Sequence, residues 1–122
     1  MQESLGNYKG TDLYLTVNRY SKNNRIYLGL VTDEEGYVDI TINLPEIGVG
    51  ESYAYLSNDI DEELKDFLVD KKVISDTLVI MPYNYGNYRI VRWNKDVVKE
   101  YDPLGYASYE KALKKSKEMC YT

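Results

Sequence analysis

Three stretches in the first 45 residues carry apolar side chains at every second position, and this period of two constrains the fold more than any other property of the chain. Residues 12–20 put Leu13, Leu15 and Val17 on one side, residues 25–32 put Ile26, Leu28 and Leu30 there, and residues 37–44 put Val38, Ile40, Ile42 and Leu44 there. Successive side chains of a strand point to opposite faces, so each stretch reads as a strand with one face for a core and one for water. The connectors Ser21-Lys22-Asn23-Asn24 and Asp33-Glu34-Glu35-Gly36 offer residues that tolerate positive φ, as hairpin loops require. A three-stranded antiparallel meander follows. Pro45 ends it, because proline cannot donate to a ladder, and Gly48 and Gly50 mark a loop before a short fourth strand at residues 52–56.

The pattern then changes period. Ile60, Leu64, Phe67 and Leu68 share one face of a helix over residues 59–69, with Ser57, Asn58 or Asp59 as N-cap and Glu62 as capping partner. This face is expected to lie on the apolar side of the meander. Residues 77–81 and 88–93 read as a second hairpin around Tyr83-Asn84-Tyr85-Gly86-Asn87. Asn94 caps a short turn through Val97 and Val98, which Asp102-Pro103-Leu104-Gly105 is expected to break. Ser108 caps a last helix over residues 109–119, with Tyr109, Ala112 and Leu113 inward and lysines towards its end. The expected fold is α+β: one antiparallel sheet of five or six strands with two helices packed against it, in one domain spanning residues 1–122.

Composition narrows the chemistry. A chain of 122 residues buries roughly two-thirds of its unfolded surface, enough for a core without disulfides or metal. Histidine is absent and Cys120 is the one cysteine, which removes the Ser-His and Cys-His pairs, the usual general base and the usual zinc and haem ligands. Cys120 has no partner for an intrachain disulfide, consistent with a reducing cytoplasm. The eight glycines sit singly in turns, so no nucleotide-binding loop is visible. No metal or cofactor is expected. Asp39 is the one acid inside a strand, next to Thr41 and Asn43, and a carboxylate-dependent enzyme would need a second acid across a cleft. A solvated polar face accounts for Asp39, and no enzymatic activity is expected. No apolar run approaches the ~20 residues that cross a bilayer, and the start MQESLGNYKG has no signal-peptide pattern, so a cytoplasmic protein without membrane contact is expected.

Two surfaces stand out. Between residues 59 and 70, six acids face only Lys65, and Asp59, Glu62, Glu63, Asp66 and Asp70 fall on one stripe of the helix. Such a stripe is ordinarily the wet side of an amphipathic helix; it also suits docking on a basic surface. The second is the outer face of the meander, where Tyr14, Tyr20, Tyr27 and Tyr37 project beside Thr16, Asn18, Asp39, Thr41 and Asn43. Fourteen tyrosines against one Phe and one Trp make this face either a binding surface or a set of cross-strand pairs that stabilise the sheet. The hairpin tip adds Arg19, Lys22 and Arg25 beside Tyr20. Three cations in a chain of net charge −5 make a weak phosphate-backbone binder, so direct contact with nucleic acid is not expected.

The stretch LYLTVNRYSKNNRIYLGLVTDEEGYVDITINLP (13–45), followed by AYLSNDIDEELKDFLVDKKV (54–73), resembles an uncharacterised family of small proteins, a domain of unknown function met on conjugative elements and prophages of low-GC Gram-positive bacteria. The chain reads Leu56-Ser57-Asn58-Asp59 where that family has an Asp-Thr-Asn-like step, and it departs from the family's pattern from Ile74 onward. The resemblance implies no catalytic residues. It implies a context: an accessory or inhibitor protein of a mobile element that binds a host or defence-system protein with a basic surface, as inhibitors of CRISPR nucleases do. A nucleic-acid-binding accessory factor, using the tyrosine face and the Arg19/Arg25 hairpin, is the alternative, and a small carboxylate-dependent enzyme comes last.

Overall fold

The computed structural model describes residues 3–34 and 36–120; the side chains of Tyr37 and of residues 116–120, Cys120 among them, lie outside the description. The first predicted hairpin is present as β2 (Thr11–Arg19) and β3 (Ile26–Val31), with Leu15 opposite Leu30 and Val17 opposite Leu28. Leu13, Leu15, Val17, Ile26, Leu28 and Leu30 are all buried on one side. A strand that the pattern did not reveal, β1 (Gly6–Tyr8), pairs with the start of β2 through a two-residue turn at Lys9 and Gly10, both at positive φ. Three residues are too few to display a period.

The predicted third strand is where expectation and structure part. Residues 37–44 do not stay in one sheet: β4 (Tyr37–Asp39) pairs with β3, the chain bends at Ile40, and β5 (Thr41–Ile42) pairs with β6 (Tyr53–Leu56). Ile40 is wholly buried at this corner. Its N–H donates to the Leu28 carbonyl at 2.9 Å and its carbonyl accepts from the Ser57 N–H at 2.8 Å. A strand that bends between two packed sheets exchanges the faces of its side chains. Thr41, expected on the open face, is therefore buried (2 % exposed), and Ile42, expected inside, is half-buried. Among the described residues the single expected sheet of five or six strands becomes two four-stranded antiparallel sheets, ordered β1-β2-β3-β4 and, with β7 (Ile74–Tyr83) and β8 (Gly86–Trp93), β5-β6-β8-β7. The second hairpin, β7 and β8, is longer than predicted and closes through Asn84 and Tyr85, both at positive φ as a type I′ turn demands.

Among the described residues three helices pack on these sheets, not two. α1 (Glu62–Asp70) starts later than expected: Asp61, not a residue of 57–59, is the N-cap, its Oδ1 accepting from the Leu64 N–H at 2.8 Å. Ser57 is engaged one turn earlier, accepting from the N–H of Asp59 at its Oγ and of Ile60 at its carbonyl. α1 lies against β7, sets Phe67 on Tyr8 of β1 at 5.2 Å between centroids and shares the core of the meander through Leu68, while α2 (Lys95–Tyr101) and α3 (Pro103–Cys120) lie against β2. The Asp-Pro-Leu-Gly segment, expected to end a helix, starts one. Asp102 caps α3 by accepting from the Gly105 N–H at 3.2 Å, and Pro103 stands in the first turn, where a missing N–H costs nothing. The other Asp102 oxygen accepts from the Val17 N–H at 2.8 Å, on the side of β2 that β1 is too short to cover. Gly105 permits the contact, since a Cβ there would stand 2.2 Å from the Val17 carbonyl oxygen. Buried side chains from both sheets and all three helices meet in one cluster, including Leu28, Leu68, Val91, Val98 and Tyr106.

Candidate functional site

The acidic stripe divides on inspection. Asp59 lies in the turn before α1, and Glu62, Glu63, Asp66 and Asp70 are exposed on the helix. Three of these carboxylates are engaged within the chain, Asp66 only at 3.9 Å from the Lys65 ammonium. Glu63 meets the Lys9 ammonium at 2.8 Å, and Glu62 meets Lys65 at 2.6 Å and Arg89 at 3.4 Å. Lys65, read from the sequence as one cation in an acidic run, is only 6 % exposed. Its Nζ also reaches Asp76 of β7 at 3.1 Å, and Arg89 of β8 meets Asp76 at 3.3 Å. The hydrogen bond from Lys65 holds the Glu62 carboxyl below its ordinary range, and the same bond raises the Lys65 ammonium. Burial works against an ionised Asp76, but the Leu78 N–H, Lys65 and Arg89 outweigh it and hold this carboxyl low as well. Four charges thus fasten α1 to the β7–β8 hairpin. Asp59 and Asp70 remain turned to solvent, as does most of Asp66.

The tyrosine face is largely self-satisfied. Tyr27 lies over Gly29, where a Cβ would stand 2.3 Å from its hydroxyl oxygen, and donates to Asp39 at 2.7 Å. Tyr20 packs edge-on against Tyr27 at 5.6 Å between centroids, and its hydroxyl reaches the Thr41 carbonyl at 3.0 Å. Burial raises the Tyr20 phenol. Tyr14 is half-exposed on the same face, and the Tyr37 side chain lies outside the described residues. At the hairpin tip, the Arg25 guanidinium donates to the carbonyls of Leu44 at 3.1 Å and Ile47 at 2.7 Å, and Arg19 donates to Asn24 at 3.1 Å. These arginines tie loops together. Among the described residues no cluster of three or more Asp, Glu, His or Cys forms a metal-binding group.

A cleft of about 510 Å³ has a floor of Trp93, Tyr106 and Tyr109 and a rim of Lys95, Lys114, Glu51 and Glu110. The three rings pack on one another with centroids 5.8 to 6.4 Å apart, leaving no slot between them for a ligand. Burial pushes the Tyr106 and Tyr109 phenols up to about 12, so both are neutral near pH 7 and neither supplies a base.

The surface that sequence reasoning missed is the β7–β8 hairpin. Leu78, Val79 and Ile80 are 81 %, 50 % and 53 % exposed, and Tyr85 at the tip is fully exposed. Neighbouring residues of a strand point to opposite faces, so half-exposed Val79 and Ile80 mean that both faces of this edge stand clear of the core. On one face Val79 stands opposite Ile90, and Met81 opposite Tyr88. Tyr83 bonds to Glu46 of the loop that also covers Tyr55, whose hydroxyl donates to the Gly48 carbonyl. Just before Val79 the register slips at a bulge, where Leu78 has φ +64°. A signal was available: Leu78-Val79-Ile80-Met81 is an unbroken apolar run before Pro82, a residue that marks an edge strand.

The fold and these surfaces define an α+β protein of two four-stranded antiparallel sheets and three helices, with an apolar hairpin edge beside an acidic helix. Residues 14–113 match the family described as Domain of unknown function (DUF4313), and the chain belongs to that family. The match runs past Ile74 through the hairpin, α2 and most of α3. No curated protein and no solved structure matches the chain.

Proposed function

We propose that this chain is a non-catalytic protein-binding module that docks through the β7 edge and the exposed faces of the β7–β8 hairpin. The observation that carries this reading is the row Leu78, Val79 and Ile80, three large apolar side chains at least half exposed in succession on an edge strand. Contiguous apolar surface rimmed by polar groups is what protein interfaces use, and isolated exposed leucines need no such account. The rim here is α1, which lies against β7 and turns Asp66 and Asp70 to solvent, and its charge suits a partner with a basic surface. An accessory or inhibitor protein of a mobile element, directed at a defence nuclease, is one role such a surface fits. A nucleic-acid-binding role has less support, because Arg19 and Arg25 are engaged within the chain.

The test is affinity capture from the producing cells with three variants whose folding is checked by circular dichroism. Val79→Lys combined with Ile80→Lys should abolish capture of the specific partner, Asp66→Lys with Asp70→Lys should weaken it and remove its salt dependence, and Tyr14→Ser should leave it unchanged. Capture that survives the hairpin variant sinks the proposal; if it is then lost with Tyr14→Ser, the tyrosine face is the interface.

A further inference from the structure

Leu78 is held in a conformation its side chain disfavours. At φ +64° a Cβ crowds the following carbonyl, which is why such positions usually hold Gly or Asn. The conformation is locked from both sides. The Leu78 N–H donates to Asp76 Oδ1 at 2.8 Å, the Val79 N–H donates to Thr77 Oγ1 at 3.2 Å, and the Thr77 hydroxyl donates to the Ile90 carbonyl at 2.6 Å. Asp76 is itself fixed by Lys65 and Arg89. With 81 % of its surface exposed, the leucine returns almost no packing to the fold that strains it. A strained, unpacked apolar residue on a fixed backbone is what preorganisation for another molecule produces.

We propose that Leu78 is the anchor of the docking surface and enters an apolar cleft, bordered by Lys or Arg, on a protein partner; this rests on the protein-binding reading above. The cleft is apolar because Val79 and Ile80 follow Leu78 on the same exposed edge. Its border is basic because α1 lies alongside β7 with Asp66 and Asp70 exposed. A second copy of this chain is a poor occupant: pairing two β7 edges brings two acidic helices together, each on a chain of net charge −5. Extension of the sheet by a partner's strand is also poorly served. The bulge N–H is already taken by Asp76, and Pro82 has none to give, so the edge offers little of a hydrogen-bonding ladder and side-chain insertion remains.

Leu78→Gly separates the two roles of this residue. It should raise Tm by roughly 2–5 °C, since glycine adopts positive φ without the clash, while weakening the partner about 30-fold or more, as loss of a central anchor does. The partner is trapped by a photo-cross-linking residue at position 78 of the full chain in the producing cells, with position 104 as an exposed control, and the trapped peptide is identified by mass spectrometry. Support is a peptide from an apolar cleft flanked by Lys or Arg, with binding of the purified partner that weakens in salt and falls with Leu78→Gly. A cross-link only to another copy, a cleft flanked by acids, no cross-link above the control, a Tm that falls, or an affinity within about 3-fold of wild type would each overturn it. If Leu78→Gly binds normally but Val79→Lys with Ile80→Lys does not, the anchor fails and the protein-binding reading stands; if both bind normally, both fail.

Discussion

Asp76 does three things with one carboxylate: it accepts from the Leu78 N–H, completes the Lys65 pair and meets Arg89. Replacing it by Ala leaves a nearly buried ammonium with Glu62 as its main partner and removes the acceptor at the bulge, so Asp76→Ala should cost about 2 kcal/mol by urea unfolding. Asp76→Asn keeps an acceptor for Leu78 and should cost less. The sign with pH follows from the direction of the shifts. The Glu62 and Asp76 carboxyls are lowered in the fold, so their stabilisation is present above the unfolded carboxyl range and is lost as pH falls through the lowered values. The urea midpoint should therefore drop on acidification below about pH 4, and the drop should be shallower in Asp76→Asn; an unchanged acid limb would remove Asp76 from the account. The acids and Lys65 were visible in the sequence. That Lys65 turns inward was not, because its partner Asp76 comes from a strand whose distance from the helix no spacing reveals.

Elements were legible where period and punctuation agreed. In β2 and β3 the alternation is unbroken, and the loop between them holds Asn24 at φ +58°, as its sequence suggested. The run 37–44 misled because a bend at Ile40 changes sheets without interrupting the alternation in the sequence. Asp102-Pro103 misled for the opposite reason: the same pair reads as a stop after one helix or as the cap and first turn of the next, and only the acceptor contact with Val17 distinguishes the two. Gly105 tests that docking. An added methyl would press on the Val17 carbonyl at 2.2 Å and the Asp102 carboxylate at 2.4 Å, so Gly105→Ala, though better for helix propensity, should destabilise by about 1–3 kcal/mol in chemical unfolding. A stabilising Gly105→Ala would mean that α3 does not approach β2 so closely.

At the scale of the molecule, the core is closed by residues far apart in sequence. Val98, Tyr106 and Tyr109 complete the cluster that begins at Leu5 and Leu13. A chain stopped after Asn94 should therefore fail to form a stable core, seen as strong binding of a hydrophobic dye and poor amide protection; cooperative unfolding of that fragment would show that α2 and α3 are dispensable. The bend at Ile40 gives the same geometry a temporal meaning. During synthesis the first four strands leave the ribosome as local hairpins and can pair at once, as can β5 with β6, but the other edge of β6 must wait for β8, and the apolar side of the first sheet waits longer still for α2 and α3. The first sheet, made before the helices that cover it, is the last to be shielded, so the nascent chain, more than the finished one, is the form with the greatest need of a chaperone.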